Sequence, residues 1–357
     1  MSSSELVQAG DTSISCYIHE IPPFIEAELV KSYETLDSSL PFFKVFRSLE
    51  QVNCYVARRT GHPSTVLLFT CHGRRVDVLN EMIEIEQPEV HRFASYIFAK
   101  FDHADIISFK ALKTTTHKFG FPVQRHESKD TYVISLPATP EKYTESLGKN
   151  TRADIRQKTN KVRREFPSFV STFYVHQDVD DNHVRQIIAL SENKINANGV
   201  KLTHDVERII ALAKMCGFVN VLTIDGRICA GTVNYRIGST YVGGITGYDP
   251  EYEKYGLGRL CVHQSICESI ARGGKKYYLG GGAFEFKQRL LGVPLSMDEL
   301  HIYRSHTELL LHLGRAAQVV IVGRVRYLKK VMHQNKQKAW AKFVFKSFHF
   351  FRNRLAK

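Results

Sequence analysis

One order of segments occurs twice along the chain and limits what it can fold into. Three short runs rich in β-branched and aromatic residues are followed by a helical pattern and then by one more such run. In the first half the runs are VNCYVARR (52–59), TVLLFTC (65–71) and RRVDVL (74–79), the helical stretch is VHRFASYIFAKF (90–101), and DIISFKAL (105–112) closes. In the second half VNVLTIDG (219–226), RICAGTVNYRIG (227–238) and STYVGGITGY (239–248) precede LGRLCVHQSICESIARG (257–273), and KKYYLGG (275–281) closes. Such runs read as strands, and apolar residues at three- and four-residue spacing read as one buried helix face. The two sets lie about 165 to 170 residues apart. Few residues match between them, so the order alone predicts a duplicated α/β unit; a hairpin followed by a helix is also common in unrelated α/β proteins.

At 357 residues the chain exceeds one ordinary core, which agrees with two domains. The expected division is a first unit at 1–140, a second at 141–308 and a basic tail at 309–357, with LPATP (136–140) supplying prolines at the boundary. The charge is divided unevenly. Lys and Arg number 49 against 36 Asp and Glu, yet the last acidic residue is Glu308 and twelve basic residues follow from Arg315 to Lys357. The body is therefore nearly neutral, which argues against a generally basic nucleic-acid binder. Seven scattered cysteines, none spaced CxxC, fit neither a disulfide framework nor a zinc site, so a reducing, cytoplasmic setting and no metal are expected. The start, MSSSELVQAG, lacks the features of a signal peptide, and no run approaches a membrane span.

The segment with most chemistry is 240–292. A glycine-rich strand ends at Gly247, a turn runs through Asp249 and Pro250, and Tyr255-Gly256-Leu257-Gly258-Arg259 opens a helix with one apolar face. Glycines ahead of a helix let a ligand approach the backbone, and the first N–H groups with the positive dipole end favour a phosphate. The same glycines serve ordinary turns and caps. The pattern is not the dinucleotide fingerprint, which needs a third glycine and a parallel crossover, whereas a hairpin precedes this helix; nor is it a Walker loop, since Arg259-Leu260 follows Gly258. Upstream, the helix SLGKNTRADIRQKTNKVRREF (146–166) carries seven Lys and Arg against Asp154 and Glu165, either a solvated face or the mouth of an anion site.

These residues resemble the acyl-CoA-binding core of GNAT-fold N-acyltransferases, whose motif is Gln/Arg-x-x-Gly-x-Gly/Ala. Glu253-Lys254-Tyr255-Gly256-Leu257-Gly258 keeps both glycines and departs at the first position. Residues 146–292 are similar to double-GNAT acyltransferases linked to cellulose and exopolysaccharide biosynthesis, relatives of the Fem-type peptidyl transferases. The matching features are the basic helix, GYDPEYEKYGLGRLCVHQSI and Gly280-Gly281-Gly282 followed by Glu285-Phe286-Lys287. The resemblance implies tandem GNAT-like units, each a mixed, mostly antiparallel sheet flanked by helices. It also implies acetyl-CoA as co-substrate, with Gly247, Tyr255, Gly256, Leu257, Gly258 and Arg259 holding it. Only the second unit has the loop, because Glu89-Val90-His91-Arg92 stands in its place in the first.

Acyl transfer from a thioester to an amine requires a base, a stabilised carbonyl oxygen and a proton for the thiolate. Glu285 is the first candidate for the base and Asp249 the second; Tyr248 or Tyr278 is the candidate thiolate donor. Arg152, Arg156 and Lys287 are candidates for holding an anionic acceptor or the cofactor. In the tail, Trp340, Phe343, Val344, Phe348, Phe350, Phe351 and Leu355 share one helical arc opposite Lys338, Lys342, Lys346 and Arg352. That pattern suits an anionic membrane surface, or docking on the body or a partner. The expected activity is acetyl transfer to an amino sugar or another small amine at the inner membrane face. The alternatives are Fem-like transfer from charged tRNA and a non-catalytic scaffold of the same fold, the latter motivated by Glu253.

Overall fold

A computed structural model describes residues 5–9, 11–60, 64–114, 120–197, 202–281, 285–312 and 314. The expected tail helix lies outside the described residues. Among those described, no helix is long and apolar enough to cross a membrane.

In the first half the strands are β1 (Glu5–Ala9), β2 (Thr12–Tyr17), β3 (Asn53–Arg59), β4 (Thr65–His72), β5 (Arg75–Val78), β6 (Ile83–Glu84), β7 (Ile106–Lys113) and β8 (Val123–Ser135). The second half adds β9 (Val170–Val175), β10 (Gly217–Ile224), β11 (Arg227–Ile237), β12 (Thr240–Tyr248), β13 (Lys276–Tyr278) and β14 (Val293–Tyr303). Helices of the first half are α1 (Ile25–Tyr33), α2 (Leu40–Phe46), α3 (Gln87–Lys100) and, at the junction, α4 (Pro140–Ser146). Those of the second are α5 (Lys149–Glu165), α6 (Asp181–Ala197), α7 (Val206–Cys216), α8 (Leu257–Ala271), α9 (Glu285–Arg289) and α10 (His306–Leu311). The strands join one sheet in the order β1-β2-β3-β4-β5-β7-β14-β8-β13-β12-β11-β10-β9, with β6 added on β7.

The duplicated order is real in three dimensions. An antiparallel β3-β4-β5 meander, α3 and a return strand β7 parallel to β5 make the first unit; β10-β11-β12, α8 and β13 parallel to β12 make the second. Arg75 pairs with Ile106 and Thr240 with Lys276, so equivalent pairings recur about 165 and 170 residues later. The architecture is α/β with a mostly antiparallel mixed sheet between helices, as expected. One detail differs: β12, α8 and β13 form the parallel crossover that the preceding hairpin argued against. Strand β12 pairs antiparallel with β11 on one side and parallel with β13 on the other.

Two strands are exchanged at the seam. β8 follows β7 in the chain but pairs with β13, from Lys276↔Ser135 to Tyr278↔Val133. β14 belongs to the second half but pairs with β7, Ile302 opposite Ile107. Between them β8 and β14 pair with each other from Val293↔Val133 to Ile302↔Val123. Packing follows the exchange. Leu300 and Ile302 of β14 are buried with Phe93 and Ile97 of α3 in the first unit's core, and Ile134 of β8 is buried with Tyr241, Ile266 and Tyr277 in the second. Each such side chain removed from water is worth roughly 1.5–3 kcal/mol, so each unit draws stability from the other's strand.

Candidate active site

The second unit opens where two parallel strands part. β12 and β13 pair over Thr240–Val242 and Lys276–Tyr278, after which β12 continues to Tyr248 with no strand paired on that side among the described residues. A bulge at Gly244 shifts the register, since Asn234 faces Gly243 while Val233 faces Ile245. Beyond Tyr278 the chain turns at Gly280, with φ 71°. Lys287 fixes this turn. Its buried ammonium donates to the Gly280 carbonyl at 2.9 Å and to the Gly281 carbonyl. Below the gap, the Tyr277 hydroxyl donates to Asn234 Oδ1 at 3.0 Å and Asn234 Nδ2 donates to Ser265 Oγ at 3.3 Å, while Thr232 and Ser265 share a 3.0 Å hydrogen bond. This buried network ties β11, β13 and α8 together, and satisfied polar groups of this kind fix one arrangement of neighbouring elements.

Burial pushes the Lys287 ammonium down to about 8. Between pH 8 and the ordinary lysine range the unfolded chain keeps a proton that the folded chain has shed, so stability rises with pH across that window; below it both states are protonated and the gain is absent. From pH 7.5 to 10, wild type is expected to gain about 1–2 kcal/mol relative to Lys287→Met, read by urea denaturation at each pH.

The gap leads to the start of α8. Gly256 takes φ 63°, the left-handed region, and serves as the cap residue. The Arg259 and Leu260 N–H groups return to the Gly256 carbonyl at 3.0 and 3.2 Å. Leu257 and Gly258 are the first two residues of the helix, and first-turn N–H groups are the ones a helix offers to an anionic ligand. A Cβ on Gly258 would sit 2.8 Å from the Tyr248 ring, so the glycine admits that ring, which also has the Lys194 ammonium 4.2 Å from its centroid. Leu257 is core. Tyr255 is buried, and its hydroxyl donates to Glu165 at the end of α5. Gly247 packs on α6, because an added Cβ would lie 2.2 Å from the Ile187 carbonyl oxygen.

Helix α5 lies directly on this loop. Val162 and Ile155 pack with Tyr255, Leu257 and Leu260. A Cβ on Gly256 would meet Lys158 Nζ at 2.9 Å. Asp154 holds Lys158 at 3.1 Å through one oxygen and Arg259 at 3.2 Å through the other. Beside them is a cleft of about 610 Å³ lined by Lys149, Asn150, Asp154, Arg259, Phe286 and Arg289, among others. In the sequence Lys158 and Asp154 stand out only as two charges of a basic helix; their i,i+4 spacing was the available signal.

The remaining candidates fall in different places. Glu285 is exposed at the start of α9 and pairs with Arg289 at 2.7 Å. Asp249 caps the turn after β12, accepting from Glu251 N–H at 3.0 Å, with Arg227 at 3.4 Å. Tyr278 lines a second cavity of about 210 Å³ with Val242, Gly280, Gly281, Asp37 and Lys129, where β8 and the first unit meet the gap. Burial raises its phenol above the ordinary value. Arg152 is exposed and donates to the Glu145 carbonyl at 2.6 Å; Arg156 is exposed on the same helix. Gly282 lies outside the described residues. Elsewhere Asp105, Glu308 and His312 form a cluster of metal-type donors, but Arg74 already pairs with both carboxylates.

This arrangement has counterparts. Residues 149–288 match the family model for the acetyltransferase (GNAT) domain. The matched stretch runs from α5 to α9 and includes the loop, the parted strands and the Lys287 turn. Among the solved structures that share the fold are two that cover most of both chains. FemX is 10% identical with a TM-score of 0.60, covering 82% of this chain and 98% of its own. A conserved protein of unknown function from Bacteroides thetaiotaomicron VPI-5482 is 14% identical with a TM-score of 0.50, covering 78% of this chain and 95% of its own. No curated protein matches the sequence.

Proposed function

We propose that the GNAT domain transfers an acyl group from a coenzyme A thioester to an amine. The observation that carries this reading is that the pairing of β12 with β13 ends at Val242 and Tyr278, ahead of the start of α8 at Gly256–Gly258, where no side chain caps the helix. A single strand edge with free backbone groups suits an extended thioester arm, and the helix start suits its diphosphate. Acetyl is the acyl group of first choice. Glu285 and Asp249 are the proposed bases and Tyr248 and Tyr278 the proposed thiolate donors, Tyr278 being the one that lines a cavity beside the gap. The acceptor in this reading is an amino sugar or another small amine, as in exopolysaccharide assembly. It would enter from that cavity's side, with residues 315–357 holding the enzyme at an anionic membrane face.

Titration calorimetry with acetyl-CoA tests the donor, and micromolar binding is the expected result. No binding by wild type would sink the reading. One observation favours a second reading, aminoacyl transfer from charged tRNA in the Fem manner: α5 exposes Arg152, Arg156, Arg163 and Arg164. Gel shifts with tRNA at two salt concentrations separate the two, since phosphate-driven binding weakens with salt. Turnover of acetyl-CoA with a panel of amino sugars distinguishes an enzyme from a scaffold. Liposome sedimentation of full-length protein against a chain ending at Arg315 tests whether the tail holds a membrane; equal partitioning would refute it.

A further inference from the structure

We propose that Lys158 and Arg259 clamp the donor's diphosphate over Gly256–Gly258, and that Asp154 holds both cations in place until the diphosphate displaces it. This rests on the coenzyme A reading and adds residues to it. Position 253, at the head of the loop, is an exposed glutamate and offers no cation. The loop instead receives one from a different element, as Lys158 of α5 extends over Gly256. Arg259 stands three residues further on at the first turn of α8, its guanidinium half exposed.

A single carboxylate spans the two. The Asp154 oxygens reach Lys158 Nζ at 3.1 Å and Arg259 Nη1 at 3.2 Å, so both cations are already aimed at one point before any ligand arrives. Holding them there lowers the ordering cost of binding. One carboxylate leaves the pair half neutralised. Among the residues that line the cleft, three are cations, Lys149, Arg259 and Arg289, and one is an acid, Asp154. That lining carries two more positive than negative charges, the number that a diphosphate bridge carries in negative charge. The N–H groups of Leu257 and Gly258 supply the other side of the cradle. A diphosphate therefore satisfies the cations better than Asp154 does, and the carboxylate is left to turn toward solvent, where it is already partly exposed.

The test uses the full chain and two donors, acetyl-CoA and S-acetylpantetheine, the second lacking the diphosphate. Asp154→Asn is expected to bind acetyl-CoA about threefold more tightly, because a competing charge is removed while the site keeps its shape. Lys158→Met is expected to bind it roughly tenfold more weakly and with a shallower salt dependence, whereas Lys158→Arg keeps most of the affinity. Neither change should move the dissociation constant of S-acetylpantetheine. Melting curves confirm that each variant is folded, and the conservative Asp154→Asn and Lys158→Arg pair decides the matter if Lys158→Met is not. Wild type that binds no acetyl-CoA overturns the donor reading and the clamp with it. Wild type that binds acetyl-CoA, with variants that shift both donors alike or neither, overturns the clamp alone.

Discussion

Residues 1–140 and 141–357, expressed as separate chains, are each expected to be insoluble, and their co-expression is expected to return a soluble complex. The exchanged strands are the reason. Without β14 the first unit loses the strand beside β7 and the side chains of Leu300 and Ile302 from the core under α3. Without β8 the second loses the strand beside β13 and Ile134 from the core under α8. Each fragment then exposes a bare edge in the middle of what was a continuous sheet, the feature that promotes aggregation. In the intact chain the same logic predicts that Ile302→Ala costs about 3 kcal/mol although the residue lies far along the sequence from the core it fills. Urea melts read the second effect, and co-purification of differently tagged halves reads the first. A second half that folds alone to a monomer with native circular dichroism would show that the exchange is dispensable.

The exchanged strands also mark where the sequence stops being legible. The meanders and the helices between them are visible because each buries one regular face, and β4, β10, α3 and α8 lie close to where periodicity puts them. Strand β8 carries His126, Glu127, Ser128, Lys129 and Asp130 in succession and reads as polar loop. Its partners explain the polarity: Arg125 pairs with Asp298, His126 with Glu299 at 3.2 Å, and Ser296 donates to Asp130 at 2.8 Å, all on β14. Charges that look like surface in one dimension are cross-strand partners contributed from about 170 residues away. At the candidate site, the loop glycines were legible because conformation and close approach restrict residue type there. Lys158 over Gly256 was not, since the contact depends on how α5 lies across α8, and a lysine among seven basic residues carries no mark of it. Lys287 was legible only as a cation; its burial against two carbonyls is a tertiary fact.

Gly258→Val and Gly256→Val are each expected to abolish measurable acetyl-CoA binding, for different physical reasons that one comparison separates. Gly258 lies inside the first turn of α8, where a side chain is conformationally permitted. Its obstacle is contact: the new Cβ would stand 2.8 Å from the Tyr248 ring, forcing the ring off Lys194 and into the space ahead of the helix. Relief by a rotating tyrosine keeps the stability cost near 1 kcal/mol, while the displaced ring blocks the first-turn N–H groups. Gly256 faces the other difficulty, a backbone at φ 63° that a β-branched residue resists, together with Lys158 Nζ at 2.9 Å. There the loop itself must move, at a cost of about 1–3 kcal/mol, and the cap geometry that aims the N–H groups is lost. Tyr248→Ala should therefore restore part of the donor affinity to Gly258→Val and none to Gly256→Val. If the second substitution rescues both variants, or neither, the helix start is not where the diphosphate sits, because steric relief at position 258 reopens only that site.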